Sequence, residues 1–184
     1  MHAQLSSALL FKSIVDAVRE IAAEVNLHVD ATGLHVQAMD ASHVSLVMLH
    51  IASNDFHTFT CTRPVVLGVK VSVLQNMLRC CGHDGTLTLT HDASSNPDVL
   101  TLVYRDVKGQ KTSTFSLALL DLDAEVLSVP DVKYAATVAI PTLLFKVTCK
   151  NLSALGDTCA LSCDDDALTL KVSGDGGECT ETFA

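Results

Sequence analysis

The residues Leu34–Leu49, LHVQAMDASHVSLVML, carry the most regular pattern in the chain. Apolar and polar positions alternate from Leu34 to Ala38, break at Asp40-Ala41-Ser42, and alternate again through Val44, Leu46 and Met48. A period of two on both sides of a polar break predicts two strands joined by a tight connection, each with one buried face. Asp40 and Ser42 suit the turn, because their side chains bond backbone amides two residues on. Apolar Met39 sits beside it.

Three stretches follow a helical period instead: Leu10–Ala22, Lys70–Cys81 and Thr142–Leu152. In the first, Phe11, Ile14, Val15, Val18, Ile21 and Ala22 form one apolar stripe, with Lys12, Asp16 and Arg19 on the other side. In the second, Leu74, Met77, Leu78 and Cys81 form the stripe, with Asn76 and Arg79 outside. In the third, Leu144, Phe145, Thr148 and Leu152 are expected to face inward, and Lys146 and Lys150 lie one turn apart. Short β-like runs fill the rest: Val44–Ile51, Thr58–Cys61, Thr86–Thr90, Val99–Tyr104, Thr112–Leu119, Ala135–Ile140, Thr158–Cys163 and Leu168–Val172. Many short strands, few helices and no strict β-α alternation predict an α+β protein, antiparallel sheets with helices on one face.

The chain also repeats itself. Phe11-Lys12 and Phe145-Lys146 each open an apolar helical stretch, 134 positions apart. Leu34-His35-Val36 and Leu168-Thr169-Leu170 each follow 23 residues later, behind the turns Asp30-Ala31-Thr32-Gly33 and Asp164-Asp165-Asp166-Ala167. Self-similarity at a fixed offset marks a duplicated unit. The expected organisation is a first domain over 1–118, a connector over 119–133 and a partial second domain over 134–184. A complete second copy would run roughly 70 residues beyond Ala184, so a fragment or a short variant is expected. In the connector, Asp121, Asp123 and Glu125 alternate with apolar residues ahead of Leu127-Ser128-Val129-Pro130. Pro130 makes a central strand improbable there.

Composition changes the picture in two ways. Hydrophobic residues make up 48% and aromatics only 4%, with no Trp, so the core must be aliphatic. No apolar run approaches the ~18 residues of a membrane span, and no secretory leader pattern is present. Seven cysteines, two of them adjacent at Cys80-Cys81, read as reduced thiols of a cytosolic or nuclear protein. The net charge of −9 argues against a polyanion ligand taken whole. Its distribution does not. The three helical segments hold six basic residues (Lys12, Arg19, Lys70, Arg79, Lys146, Lys150) against Asp16 and Glu20, a sum of +4. The remaining six basic and 19 acidic residues sum to −13. Helices that share one surface would give an acidic protein a basic face.

Signatures of catalysis are absent: no GxxxxGK[ST], GxGxxG, HExxH or CxxC. His28, His35, His43, His50 and His57 recur every seven or eight residues, yet they fall across strands and turns without carboxylates at second-shell spacing. Cys159 and Cys163 share one face of a strand and read as core or edge thiols, and Asp164-Asp165-Asp166 reads as a solvated turn. No enzyme activity, cofactor or metal is expected.

GLHVQAMDASHVSLVML closely resembles the first signature segment of the eukaryotic sliding clamp family, PCNA. CTRPVVLGVKVSVLQNMLRC (Cys61–Cys80) resembles it too, and LLDLDAE with VLSVPD resembles the family's interdomain connector. The resemblance covers essentially the whole chain. It implies the DNA-clamp fold, here with its second copy incomplete, and a ring of three subunits around double-stranded DNA. The ring is loaded by a clamp loader and tethers DNA polymerase and other replication and repair proteins in the nucleus, without catalysis.

Carried over by position, the channel residues are Lys12, Arg19, Arg79 and Lys150, with Lys70 and Lys146 added on charge alone. Ser13 and Asn76 stand where lysine is usual, and Asp165 stands at the lysine modified in DNA-damage tolerance. The pocket for clamp-binding peptides would comprise Met39, His43, Val44 and Leu46, with Leu127, Val129 and Pro130 of the connector. Subunit contact would pair the Lys111–Leu117 strand, flanked by Phe115, Met77 and Cys81, with the strand holding Glu178 and Thr180. The expected assembly is a homotrimer. The other readings are a checkpoint-type clamp subunit and a clamp-like adaptor or decoy that encircles nothing.

Overall fold

The computed structural model describes residues 1–123, 129, 131–164 and 166–183. The chain divides into two compact units, Met1–Ser128 and Val129–Ala184. The first unit contains β1 (His2–Leu5), α1 (Ala8–Arg19), β2 (Glu24–Asp30), β3 (Gly33–Met39), β4 (Leu46–Ala52) and β5 (Thr58–Thr60). It continues with β6 (Val65–Lys70), α2 (Val71–Arg79), β7 (Gly85–Asp92), β8 (Asn96–Asp106) and β9 (Thr112–Ala118). The strands form a four-stranded sheet, β4-β3-β2-β6, and a five-stranded sheet, β5-β1-β7-β8-β9. Every pairing is antiparallel.

Alternation translates directly into burial. Val25, Leu27 and Val29 of β2, Leu34, Val36 and Ala38 of β3, and Leu87 and Leu89 of β7 face one continuous core. Phe11, Val15 and Val18 of α1 and Val71, Leu74 and Leu78 of α2 join it, so both helices lie on the inner side of the sheets. α1 begins at Ala8, two residues ahead of the expected start, because the Ser7 hydroxyl accepts from the Leu10 amide at 3.3 Å and caps the first turn.

Val44 is not in a strand. The Asp40 carboxylate accepts from the amides of Ser42, Val44 and Ser45, which takes Val44 and Ser45 out of the ladder. β4 therefore begins at Leu46, and the connection is a six-residue loop rather than a tight turn. Lys70 is not in a helix either: it ends β6, paired with Glu24, and occupies the cap position of α2.

The second unit contains α3 (Thr142–Leu152), β10 (Cys159–Cys163), β11 (Leu168–Gly174) and β12 (Gly177–Phe183), with the sheet ordered β10-β11-β12. Shifted by the 134-residue offset, these are α1, β2, β3 and β4 in the same order, so the duplication is structural. Ala135–Ile140 forms no strand. Its counterpart, β1, is held between β5 and β7, whereas no strand among the described residues pairs with 135–140. An extended segment without ladder partners has nowhere to place its amides and stays irregular. Leu144 and Phe145 are exposed rather than inward, whereas Thr148 and Leu152 are buried as expected.

Candidate functional site

Three surfaces carry the candidate residues, and the first is the helix pair of the first unit. α1 and α2 run antiparallel. The Asp16 carboxylate accepts from Gln75 Nε2 at 2.7 Å midway along both helices. The Val71 amide, at the start of α2, donates to the Ala23 carbonyl just past the end of α1. At the other end, Lys12 lies near enough to Cys81 for its charge to act on that thiol. Burial pushes the Cys81 thiol up, with Cys80 adding to it, and Lys111 and Lys12 oppose the rise.

Lys12 and Arg79 therefore mark one end of the pair, and Arg19 and Lys70 the other. Lys12 and Arg19 are two turns apart on one helical face. Lys12 is half-buried along its stem, while Arg19, Lys70 and Arg79 are exposed. In the second unit, Lys146 and Lys150 are exposed on α3. Among the described residues, none of these six forms an ion pair. With the observed helix boundaries, the three helices carry +1, +1 and +2, so the excess of +4 stands. Ser13 spends its hydroxyl on the Leu9 carbonyl at 3.0 Å, and the Asn76 carbonyl oxygen accepts from Arg79. Asp165 lies outside the described residues.

The second surface is the outer face of the four-stranded sheet, opposite the helices. Met39 and Leu46 are cross-strand partners there, with Met48 beside them on β4. His43 caps the loop in the left-handed region at φ 58°, its amide donating to the Asp40 carbonyl at 3.0 Å. Val44 is 83% exposed. The Asp40 carboxyl is held well below the usual range, first by the Ser42 hydroxyl and then by the loop amides.

The start of the connector docks on this sheet. The Leu120 amide donates to the Gly68 carbonyl at 2.8 Å, and Asn26 Nδ2 donates to the Asp123 carbonyl at 2.8 Å. A Cβ at position 68 would collide with the Leu120 carbonyl, so this approach requires glycine. Leu127 and Pro130 lie outside the described residues. Val129 is exposed and belongs to the second unit.

On the same outer face His28, His35 and His50 align in one cross-strand row. The His35 and His50 rings stack at 4.3 Å between centroids and 7° between planes. His35 Nε2 lies 2.8 Å from Thr32 Oγ1 and 3.5 Å from the Asp30 carboxylate. Bonds from the Thr32 hydroxyl and amide, with a smaller pull from His35, lower the Asp30 carboxyl to about 2. This row, the Gln75–Asp16 tie and the Gly68 contact were not anticipated. The row was readable in principle: His28 and His35 are equidistant from the Asp30-Ala31-Thr32-Gly33 turn, so a hairpin register pairs them.

The third surface comprises strand edges. β9 ends the five-stranded sheet and β12 ends the three-stranded one. Phe115 of β9, with Met77 and Cys81, is half-buried against the core of the first unit, and Lys111 Nζ donates to the Cys80 carbonyl at 3.0 Å, tying the end of α2 to the start of that strand. On β12, Thr180 is exposed and Glu178 pairs with Lys171 at 2.8 Å.

A family model described as the N-terminal domain of proliferating cell nuclear antigen matches residues 1–126, and one for its C-terminal domain matches residues 128–183. The chain belongs to the proliferating cell nuclear antigen family. Its antiparallel sheets and three helices are those of the PCNA clamp fold. Membership brings a function of the sliding-clamp type, carried out in this family by non-enzymatic scaffolds that serve DNA replication and repair. No helix among the described residues is long and apolar enough to cross a membrane.

Proposed function

We propose that the protein is a replicative clamp subunit that forms a homotrimeric ring around double-stranded DNA in the nucleus and tethers polymerase there without catalysis. The carrying observation is the cationic helix pair. Lys12 and Arg79 at one end and Arg19 and Lys70 at the other stand unpaired among the described residues, in a chain of net charge −9. Lys70 stands at the amino end of α2, where the helix dipole disfavours a cation, so its charge is better explained by an anion outside the chain than by helix stability. Four cations that contact only phosphates bind without reading bases, as sliding requires. Lys146 and Lys150 extend the same function to the second copy.

In this reading Met39, His43, Val44 and Leu46, with Leu127, Val129 and Pro130, receive a helical-turn peptide with aromatic anchors. The β9 edge with Lys111, Phe115, Met77 and Cys81 meets the Glu178–Thr180 edge of a neighbouring subunit.

The test is DNA residence and polymerase stimulation on a primed circular template with a clamp loader, across a salt series. Replacing Lys12, Arg19, Arg79 and Lys150 by Ala should abolish stimulation and flatten the salt slope by about one unit per lost phosphate contact. Unchanged residence in that variant overturns the reading. A protein that binds clamp-binding peptides but stays monomeric and off DNA is instead an adaptor.

A further inference from the structure

We propose that His28, His35 and His50 form a binding site for a zinc-class transition-metal ion on the outer face of the first unit. The three residues occupy one register row across β2, β3 and β4: His28 opposes His35, and His35 opposes His50. Their neighbours Leu27, Val29, Leu34, Val36 and Ile51 are buried, so all three imidazoles project from the opposite, solvent face. Directly opposed residues hold their Cβ atoms about 5 Å apart. The row thus presents three imidazoles at consecutive strand spacings.

Two details point beyond a coincidence of position. The parallel His35 and His50 rings are 4.3 Å apart, and a tetrahedral ion with bonds near 2.0–2.1 Å needs its ligand nitrogens only about 3.3 Å apart. The in-plane lone pairs of parallel rings do not converge, so ligation requires the exposed His50 ring to turn out of the stack. Second, His35 directs Nε2 to Thr32 Oγ1 and toward the Asp30 carboxylate, which leaves Nδ1 for an ion. A ligating imidazole with its other nitrogen on a carboxylate or hydroxyl is the usual outer-shell arrangement of histidine metal sites.

A recess of about 370 Å³ lies over the row, bounded also by Gln37 and Met48. Among the described residues no group of three or more His, Cys, Asp or Glu is placed to hold a metal ion, so ligation requires the half-exposed and exposed imidazoles to rotate, a motion that is fast. Three imidazoles select zinc, copper(II) or nickel(II) over magnesium or calcium. The fourth coordination position faces solvent.

Cobalt(II) chloride added to the metal-free full chain is the spectroscopic probe, and zinc chloride in a calorimeter gives the affinity. The expected result is one equivalent of cobalt with tetrahedral d–d bands and no thiolate charge-transfer band. Zinc affinity should fall at least about tenfold in each of His28→Ala, His35→Ala and His50→Ala, with the circular dichroism unchanged. Three results overturn the proposal: no binding by the native chain, native affinity in the three histidine variants, or a thiolate band that disappears with Cys159→Ser and Cys163→Ser.

Discussion

Phe11 and Phe145 occupy the same place in two copies of one motif, each followed by lysine and each on the first helix of its copy. Phe11 is 2% exposed and Phe145 is 41% exposed. α1 packs against α2 and β7, and the first unit closes one large core around it. α3 has only the sheet β10-β11-β12 among the described residues of its unit, whose buried core is Leu152, Leu170 and Val172. Even so, Leu152 and Leu170 are covered, at 3% and 2% exposure. Leu161, on the edge strand β10, is 64% exposed. Burial is thus a property of what lies across from a residue, not of the motif that contains it. Polar pairing adds to this small core: buried Thr148 donates to Glu181 at 2.8 Å, linking α3 to β12.

The largest expected effect separates the two phenylalanines. Phe11→Ala should cost about 3–5 kcal/mol in denaturant unfolding, the range for a buried aromatic. Phe145→Ala should cost clearly less, on the order of 1 kcal/mol, because two-fifths of its surface is already in water. Equal costs would break the comparison. A second measurement sharpens it. Hydrogen exchange should be slow in β7 and β8, which pair on both sides in a buried sheet, and much faster in β10–β12, which open without global unfolding. Uniform protection through Phe183 would mean that the small core is self-sufficient.

The smallest effect concerns the corresponding hairpin connections. β3 and β4 are joined by the loop organised around Asp40, whereas β11 and β12 are joined by the two-residue turn Asp175-Gly176, flanked by paired Gly174 and Gly177. The Asp40 carboxyl is depressed in the folded chain. Its contribution is therefore present above the unfolded carboxylate value of about 3.9 and is lost as pH falls through the lower folded value. Amide resonances of Val44 and Ser45 should hold steady through the ordinary carboxylate range and move only at lower pH, as Asp40 is protonated in the folded chain. A loop indifferent to acid would remove Asp40 as its organiser.

The local pattern was enough to place α3 to the residue, to find most of the strands within about two residues, and to reveal the duplication through Phe11-Lys12 and Phe145-Lys146. These readings work because strand and helix periods are local consequences of backbone geometry. Net charge on the helices was equally legible, since it depends on residue identity alone. Tertiary structure decided the rest. Whether Ala135–Ile140 becomes a strand depends on partners far along the chain, because a strand's amides are satisfied only by a neighbour. Val44 left its strand because one carboxylate competed for its amide. Gln75 is buried because Asp16 lies across from it. Three histidines separated by seven and fifteen positions became one row only when antiparallel register folded two turns between them.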